Sequence, residues 1–215
     1  MSMTLIFNLL QATGETLYMV FLSTLLSVIF GLPLGTWLFA CKNLRSKPRL
    51  YQVLNAIINI TRSIPFIILL IALIPFTRLL VGSSIGLHAA IVPLTLGAIP
   101  FFARLTDNVY NTLPGGLIEA GESMGGNPMQ IIQLILIPEA LPAIVQAVTI
   151  LMITLVNFSA MAGTVGGGGL GDLAIRYGYQ RFNPSVMLYT VIILIIIVQV
   201  LQWGGDRLSR RFQHQ

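Results

Sequence analysis

Charge is scarce in this chain: Asp, Glu, Lys and Arg together make up 9% of its 215 residues. A soluble domain carries about a quarter, so the chain cannot cover a water-facing surface of its own size. Cysteine is nearly absent. The lone Cys41 excludes a disulfide framework and any cysteine-built metal site, and reads as a small apolar residue at a helix end. No stretch spells the phosphate loop G-x-x-x-x-G-K-[ST], so nothing in the chain is built to hold a nucleotide. Any ATP would have to be hydrolysed by another polypeptide, and no cofactor or metal is expected. The opening MSMTLIFNLLQATGE lacks Lys, Arg and a small-residue cleavage pattern, which argues against a removable signal peptide.

What is present is apolar: 55% of the residues. A helix crossing the hydrocarbon needs roughly 20 such residues. Five stretches qualify, at about 16–40, 56–77, 85–105, 140–162 and 185–204, so the expected fold is an all-α integral membrane protein, one domain over 1–215. Pro93 and Pro100 interrupt the third stretch. Such breaks survive only where neighbouring protein satisfies the freed carbonyls, so this helix should be interior.

Five spans put the two termini on opposite sides, and Lys and Arg set the orientation. Lys42, Arg45, Lys47, Arg49, Arg62, Arg104, Arg207, Arg210 and Arg211 fall on one side, against Arg78, Arg176 and Arg181 on the other. Nine against three places the N-terminus outside and the C-terminus in the cytoplasm. The formal charge of +5 is then topology, with a minor pull on anionic membrane lipid. It does not call for nucleic acid.

The first span carries Ser27, Gly31 and Gly35 at four-residue intervals, a stripe that lets helix backbones approach closely; Pro33 should bend it. The second opens with Gln52, Asn55, Asn59 and Arg62 on one face. That face either lies solvated along the interface or lines a water-filled cavity, since a cation here needs water or a partner. In the fourth span Thr154, Asn157 and Met161 share a face. Asn157 reads as lining a route or as a partner for another helix. Met161 reads as core packing, or as a soft plug or a contact for a thioether. The run GTVGGGGLGD cannot hold a regular helix and should be an outer loop or a broken helix dipping back. Tyr177 and Tyr179 suit an interfacial belt.

Two strings tempt towards other chemistry. Gly82-Ser83-Ser84-Ile85-Gly86, with His88 nearby, spells G-x-S-x-G, but a nucleophile elbow needs a strand before it and a converging base. An intramembrane serine hydrolase is the remote alternative. Thr164-Val165-Gly166 begins like a potassium filter, without the Tyr-Gly that should follow.

The stretch from Thr112 to Pro142, TLPGGLIEAGESMGGNPMQIIQLILIPEALP, is of another kind. It carries carboxylates, glycines and four prolines between membrane-length apolar runs. LIEAGESM can form two turns, Gly125-Gly126 tolerates a left-handed ending, and Asn127-Pro128 reads as the N-cap and first position of a second helix, MQIIQLILI, stopped by Pro138. A helical knob in water between two spans has to touch something outside the bilayer.

Glu119-Ala120-Gly121, then Gly125, Ile135, Ile137 and Pro138 resemble the "EAA" loop of the permease subunits of type 1 ATP-binding-cassette importers. There the pattern is Glu-Ala-Ala, three residues, Gly, nine residues, Ile, one residue, Leu-Pro; Gly121 replaces the second Ala and Ile137 the Leu. Arg62-Ser63-Ile64-Pro65 is similar to an element in the second span of amino-acid importers, which favours a gate-structuring role for Arg62. The likeness extends over about 14–205, and INITRSIPFIILL, IPFTRLLVGSSIG, AAIVPLTLGAIPF and GLIEAGESMG resemble the methionine-importer subfamily.

The resemblance implies a type I importer permease fold in the bacterial inner membrane and no enzyme activity of its own. It implies a second copy of the chain, two cytoplasmic ATPase subunits and an extracytoplasmic methionine-binding lipoprotein. The cargo implied is L-methionine, D-methionine or both, with an osmolyte such as betaine or choline as the alternative. It also implies a coupling loop over about 112–138, with Glu119, Ala120, Gly121, Gly125, Ile135 and Pro138 as its residues. Asn59, Arg62, Thr154, Asn157 and Met161 are the candidates for a pathway or gate. Five helices enclose too little space for a gated route, so a twofold pair would build it.

Overall fold

The computed structural model describes residues 3–44 and 47–213. Arg45, counted above among the inner-side cations, and His214 lie outside the described residues. Every element among the described residues is helical.

α1 runs unbroken from Met3 to Asn43, 41 residues. Its length of roughly 60 Å is about twice the thickness of the hydrocarbon, so the expected span 16–40 is the C-terminal part of a longer rod. Nothing between Met3 and Thr16 breaks a helix, and Pro33 is accommodated inside it. Ser27, Gly31 and Gly35 are buried and face α5, Leu87–Asn111. A Cβ on Gly31 would lie 3.0 Å from the Ile99 carbonyl oxygen, and one on Gly35 would overlap that of Ala103. The stripe is where the two backbones meet.

The expected span 56–77 is not one helix. α2 occupies Pro48–Ser63, α3 Phe66–Ala72 and α4 Ile74–Val81, and the chain turns by 97° between α2 and α3. Pro65 causes the break: it has no N–H to give and biases Ile64 to an extended conformation, φ −78° and ψ 123°. α2 and α3 together count as one bent span, the fifth beside four long apolar helices.

α5 holds Pro93 and Pro100 inside it and is the most enclosed of the long helices, packed on α1, α2 and α8. Pro138, by contrast, does not stop the second knob helix. α7 (Pro128–Ile131), a π segment (Ile132–Leu136) and α8 (Ile137–Gly163) form one continuous helix of 36 residues, with Pro142 also inside. The wider π turn takes up the place of the missing Pro138 N–H and relieves the ring's clash with the preceding turn.

After Gly163 the glycine run forms a tight turn, with positive φ at Gly166, Gly168 and Gly169, and then α9 (Gly169–Leu173) and a second π segment (Ala174–Tyr179). It is the broken-helix alternative that holds, and α9 is buried against α1 and α8. α10 spans Pro184–Phe212, capped by Asn183, and extends beyond the expected 185–204 at its C-terminal end.

The main core joins α1, α3, α5, α8, α9 and α10 around Met19, Leu94, Phe102, Leu151, Leu155 and Leu170. Phe66 and Phe158 stack across it at 4.3 Å. A second cluster, with Phe39, Tyr110, Ile131, Ile132, Leu136 and Ala140, roots the knob between the ends of α1, α5 and α8.

Candidate functional site

The knob begins four residues after α5 ends. α6 covers Gly116–Ser123 and stops in a Schellman motif: the Gly126 N–H donates to the Gly121 carbonyl at 3.0 Å and the Gly125 N–H to Glu122 at 2.9 Å. Gly125 sits at φ +77°, where a side chain is strained whatever the space around it. The chain then enters α7 through a capping box. The Gln130 N–H donates to the Asn127 side chain at 3.0 Å, and the Asn127 N–H to the Gln130 side chain at 2.9 Å.

These local devices fix two short helices at one angle. Gly121 lies against Ile131 and Ile135, the first of them rooted in the second core cluster. Glu119 and Ala120 point away from that contact and are exposed, as are Glu122, Met124, Met129 and Leu134. Glu119 forms no ion pair among the described residues. Pro138 is exposed at the first turn of α8. The knob is thus a rigid projection with the Glu119 and Glu122 carboxylates and several apolar side chains turned outwards, a surface suited to a protein cleft rather than to chemistry.

The pathway candidates do not gather into one place within the chain. Asn59 and Arg62 lie on α2, both exposed. Arg62 sits 5.9 Å over the ring of Phe101. Thr154 donates its hydroxyl back to the Ile150 carbonyl at 2.8 Å. Asn157 is exposed, and Met161 packs against the main core. Thr154 and Asn157 therefore leave a polar strip on α8 that this chain does not cover.

Part of the polar face of α2 finds partners within the chain, while Gln52 and Arg62 stay exposed. Asn55 and Asn59 turn to α5 and accept hydrogen bonds from Arg104, Asn59 at 3.0 Å. Arg104 also pairs with Asp107 at 3.0 Å. Arg104 entered the sequence reading only as an inner-side cation; Arg-x-x-Asp at helix spacing within an apolar run was the signal for its pairing.

At the opposite end, Glu15 and Thr16 of α1 accept the Gly169 and Leu170 N–H groups at 2.8 and 2.9 Å. Asp172 there holds Arg176, and that hydrogen bonding raises the guanidinium pKa above its ordinary value. The G-x-S-x-G string runs from the end of α4 to the start of α5. A helix precedes it, not a strand, and His88 packs edge-on against Tyr18 at 5.9 Å.

Comparison with known proteins now bears on this arrangement. A probable D-methionine transport system permease protein of Vibrio cholerae is 52% identical, covering 96% of this chain and 93% of that one. The D-methionine transport system permease protein of Escherichia coli K12 is 49% identical over 98% of each. Among solved structures, an inward-facing MetNI methionine ABC transporter is 48% identical over 100% of both chains, with a TM-score of 0.98. An amino acid ABC transporter at 19% identity and a TM-score of 0.78 shares the fold. Residues 27–214 match the family described as binding-protein-dependent transport system inner membrane component, and the chain belongs to that family.

Proposed function

We propose that the chain is the permease subunit of an ATP-driven importer that carries methionine, L- or D-, across the bacterial inner membrane by alternating access. The observation that carries this is the knob: a capped, stiffly rooted pair of helices with an outward Glu119, in a chain without a nucleotide loop. Two copies, two cytoplasmic ATPase subunits and an outer methionine-binding lipoprotein complete the assembly. The names of the relatives favour methionine over betaine or choline.

The N-terminus is outside and the C-terminus and knob are in the cytoplasm, on the strength of nine cations against three. α6 docks in a cleft on each ATPase, Glu119 orienting it by pairing with a basic residue or backbone amides there. Closure of the ATPase pair on ATP draws the two knobs together, and the rooted helices rock the spans. Across the twofold axis, Thr154 and Asn157 of each copy, with Asn59 and Arg62, line the route, and Met161 stands beside it.

The test is uptake by cells or proteoliposomes holding the whole transporter. Glu119→Lys and Gly125→Val abolish uptake while the permease stays in the membrane at normal abundance. Uptake that survives both substitutions rules the reading out.

A further inference from the structure

α5 and α2 meet at a charged joint outside the knob. Arg104 is nearly enclosed, its side chain 14% exposed, and Asp107 is 5% exposed. From this position Arg104 donates through one nitrogen to Asp107 on its own helix and through another to both Asn55 and Asn59 on α2. The planar guanidinium is suited to such a fork, because its donors have fixed directions. Asn55 and Asn59 are one turn apart, so two successive turns of α2 are held by one cation.

The joint's neighbours give it a consequence. α5 ends at Asn111, seven residues beyond Arg104, and only four residues separate it from α6 of the knob. α2 ends at Ser63, four residues beyond Asn59, where the chain turns by 97° into α3. Apolar packing at the joint runs along one side of α2, where Tyr51, Leu54 and Ile58 lie against Leu34, Leu38 and Ala103. Val53, Ile57 and Ile60 of α2 face away, exposed. The polar fork adds a directional tie to this apolar contact.

We propose that Arg104 is a positioning residue of the transport cycle: it straps α2 to the knob end of α5, so that displacement of the knob reaches the bend at Ser63–Pro65. This rests on the coupling reading above. Asp107 keeps the cation paired and oriented on α5 whatever α2 does, so the strap can be weakened at Asn55, leaving Asn59 as its one acceptor on α2, while the buried pair stays whole.

That asymmetry sets the experiment. Asn55→Leu and Asn55→Asp are compared with the native chain in the complete transporter, reconstituted with its ATPase and binding protein. Spin labels on Val53 and Met124, both exposed, report the distance from α2 to the knob. Asn55→Leu lowers maximal uptake roughly fivefold while ATP hydrolysis and the KM for methionine hold, a loss of coupling of the size that networked residues carry. It also broadens the label distance. Asn55→Asp, which still accepts from Arg104, restores uptake and the narrow distance.

Unchanged uptake per ATP in Asn55→Leu overturns the strap, as does an Asn55→Asp variant as uncoupled as Asn55→Leu. A loss confined to protein abundance, with uptake per ATP intact, also overturns it. If instead Glu119→Lys and Gly125→Val leave uptake whole, it is the coupling reading that fails, and the two failures are told apart.

Discussion

Gly121 and Ile135 are in contact so close that a methyl group on Gly121 would lie 2.9 Å from Ile135 Cδ1 and 3.0 Å from Ile131 Cγ1. The atoms in the way are the ends and middle of flexible side chains, not backbone, so a methyl group can be admitted by a small rotation. Ala also gains helix propensity of about 1 kcal/mol over Gly. Gly121→Ala therefore keeps uptake within about twofold. Gly121→Leu, which has no room against the same isoleucines, pushes α6 off the π segment and removes uptake. Uptake assays on the two variants, normalised to membrane abundance, check the order.

The capping box predicts a local effect. Asn127→Ala removes an acceptor from the start of α7 and costs about 1 kcal/mol there. Hydrogen exchange in 126–131 speeds up, while exchange in α5 and α10 is unchanged. Gln130→Ala has a smaller effect of the same kind, and the double variant falls short of the sum, because the two bonds depend on each other.

Gly163 is where α8 ends against α9. A Cβ there would overlap the Asp172 nitrogen and the Gly171 backbone, and one on Gly171 would overlap the Ala160 backbone. Neither obstacle can rotate away. Gly163→Ala is expected to destabilise the transporter in detergent by about 1–3 kcal/mol and to loosen α9, read as a lower Tm with faster proteolysis around 164–174.

At the other end of the bundle, Glu15→Ala leaves the Gly169 N–H without its acceptor. The loss is of a charge-assisted hydrogen bond at a helix start, about 1–2 kcal/mol. Glu15→Gln, whose amide oxygen still accepts, loses less. Thermal unfolding of the purified complex at neutral pH ranks the native chain, Glu15→Gln and Glu15→Ala in that order.

Much of this was legible in the chain alone, for physical reasons that differ by element. The long helices announce themselves by apolar length, and the interior place of α5 follows from Pro93 and Pro100, which no lipid-facing helix tolerates cheaply. The knob is legible because its caps are local chemistry: Gly125-Gly126 and Asn127-Pro128-Met129-Gln130 need no distant partner. What escaped depends on partners far along the chain. Asn55 and Arg104 are 49 residues apart, and Glu15 and Gly169 are 154 apart. Neither pairing leaves a mark in local periodicity. Pro138 misled differently: read as a stop, it is carried through by a π turn, a solution available only where packing on both sides holds the helix together.

That π turn fixes more than continuity. Ile132–Leu136 contains one residue beyond what an α-helix of the same rise would need, and each residue turns a helix by about 100°. The wide turn takes that residue up locally, so α7 and α8 keep nearly the bearing they would have without it; a residue lost from the regular helix beside the turn, with nothing to absorb it, would swing α7 and the α6 packed on it about a quarter-circle around the axis of α8. The compass bearing of Glu119 thus tolerates a change of one residue inside the five-position turn but not one in the straight helix next to it, where the knob would face its motor with the wrong side.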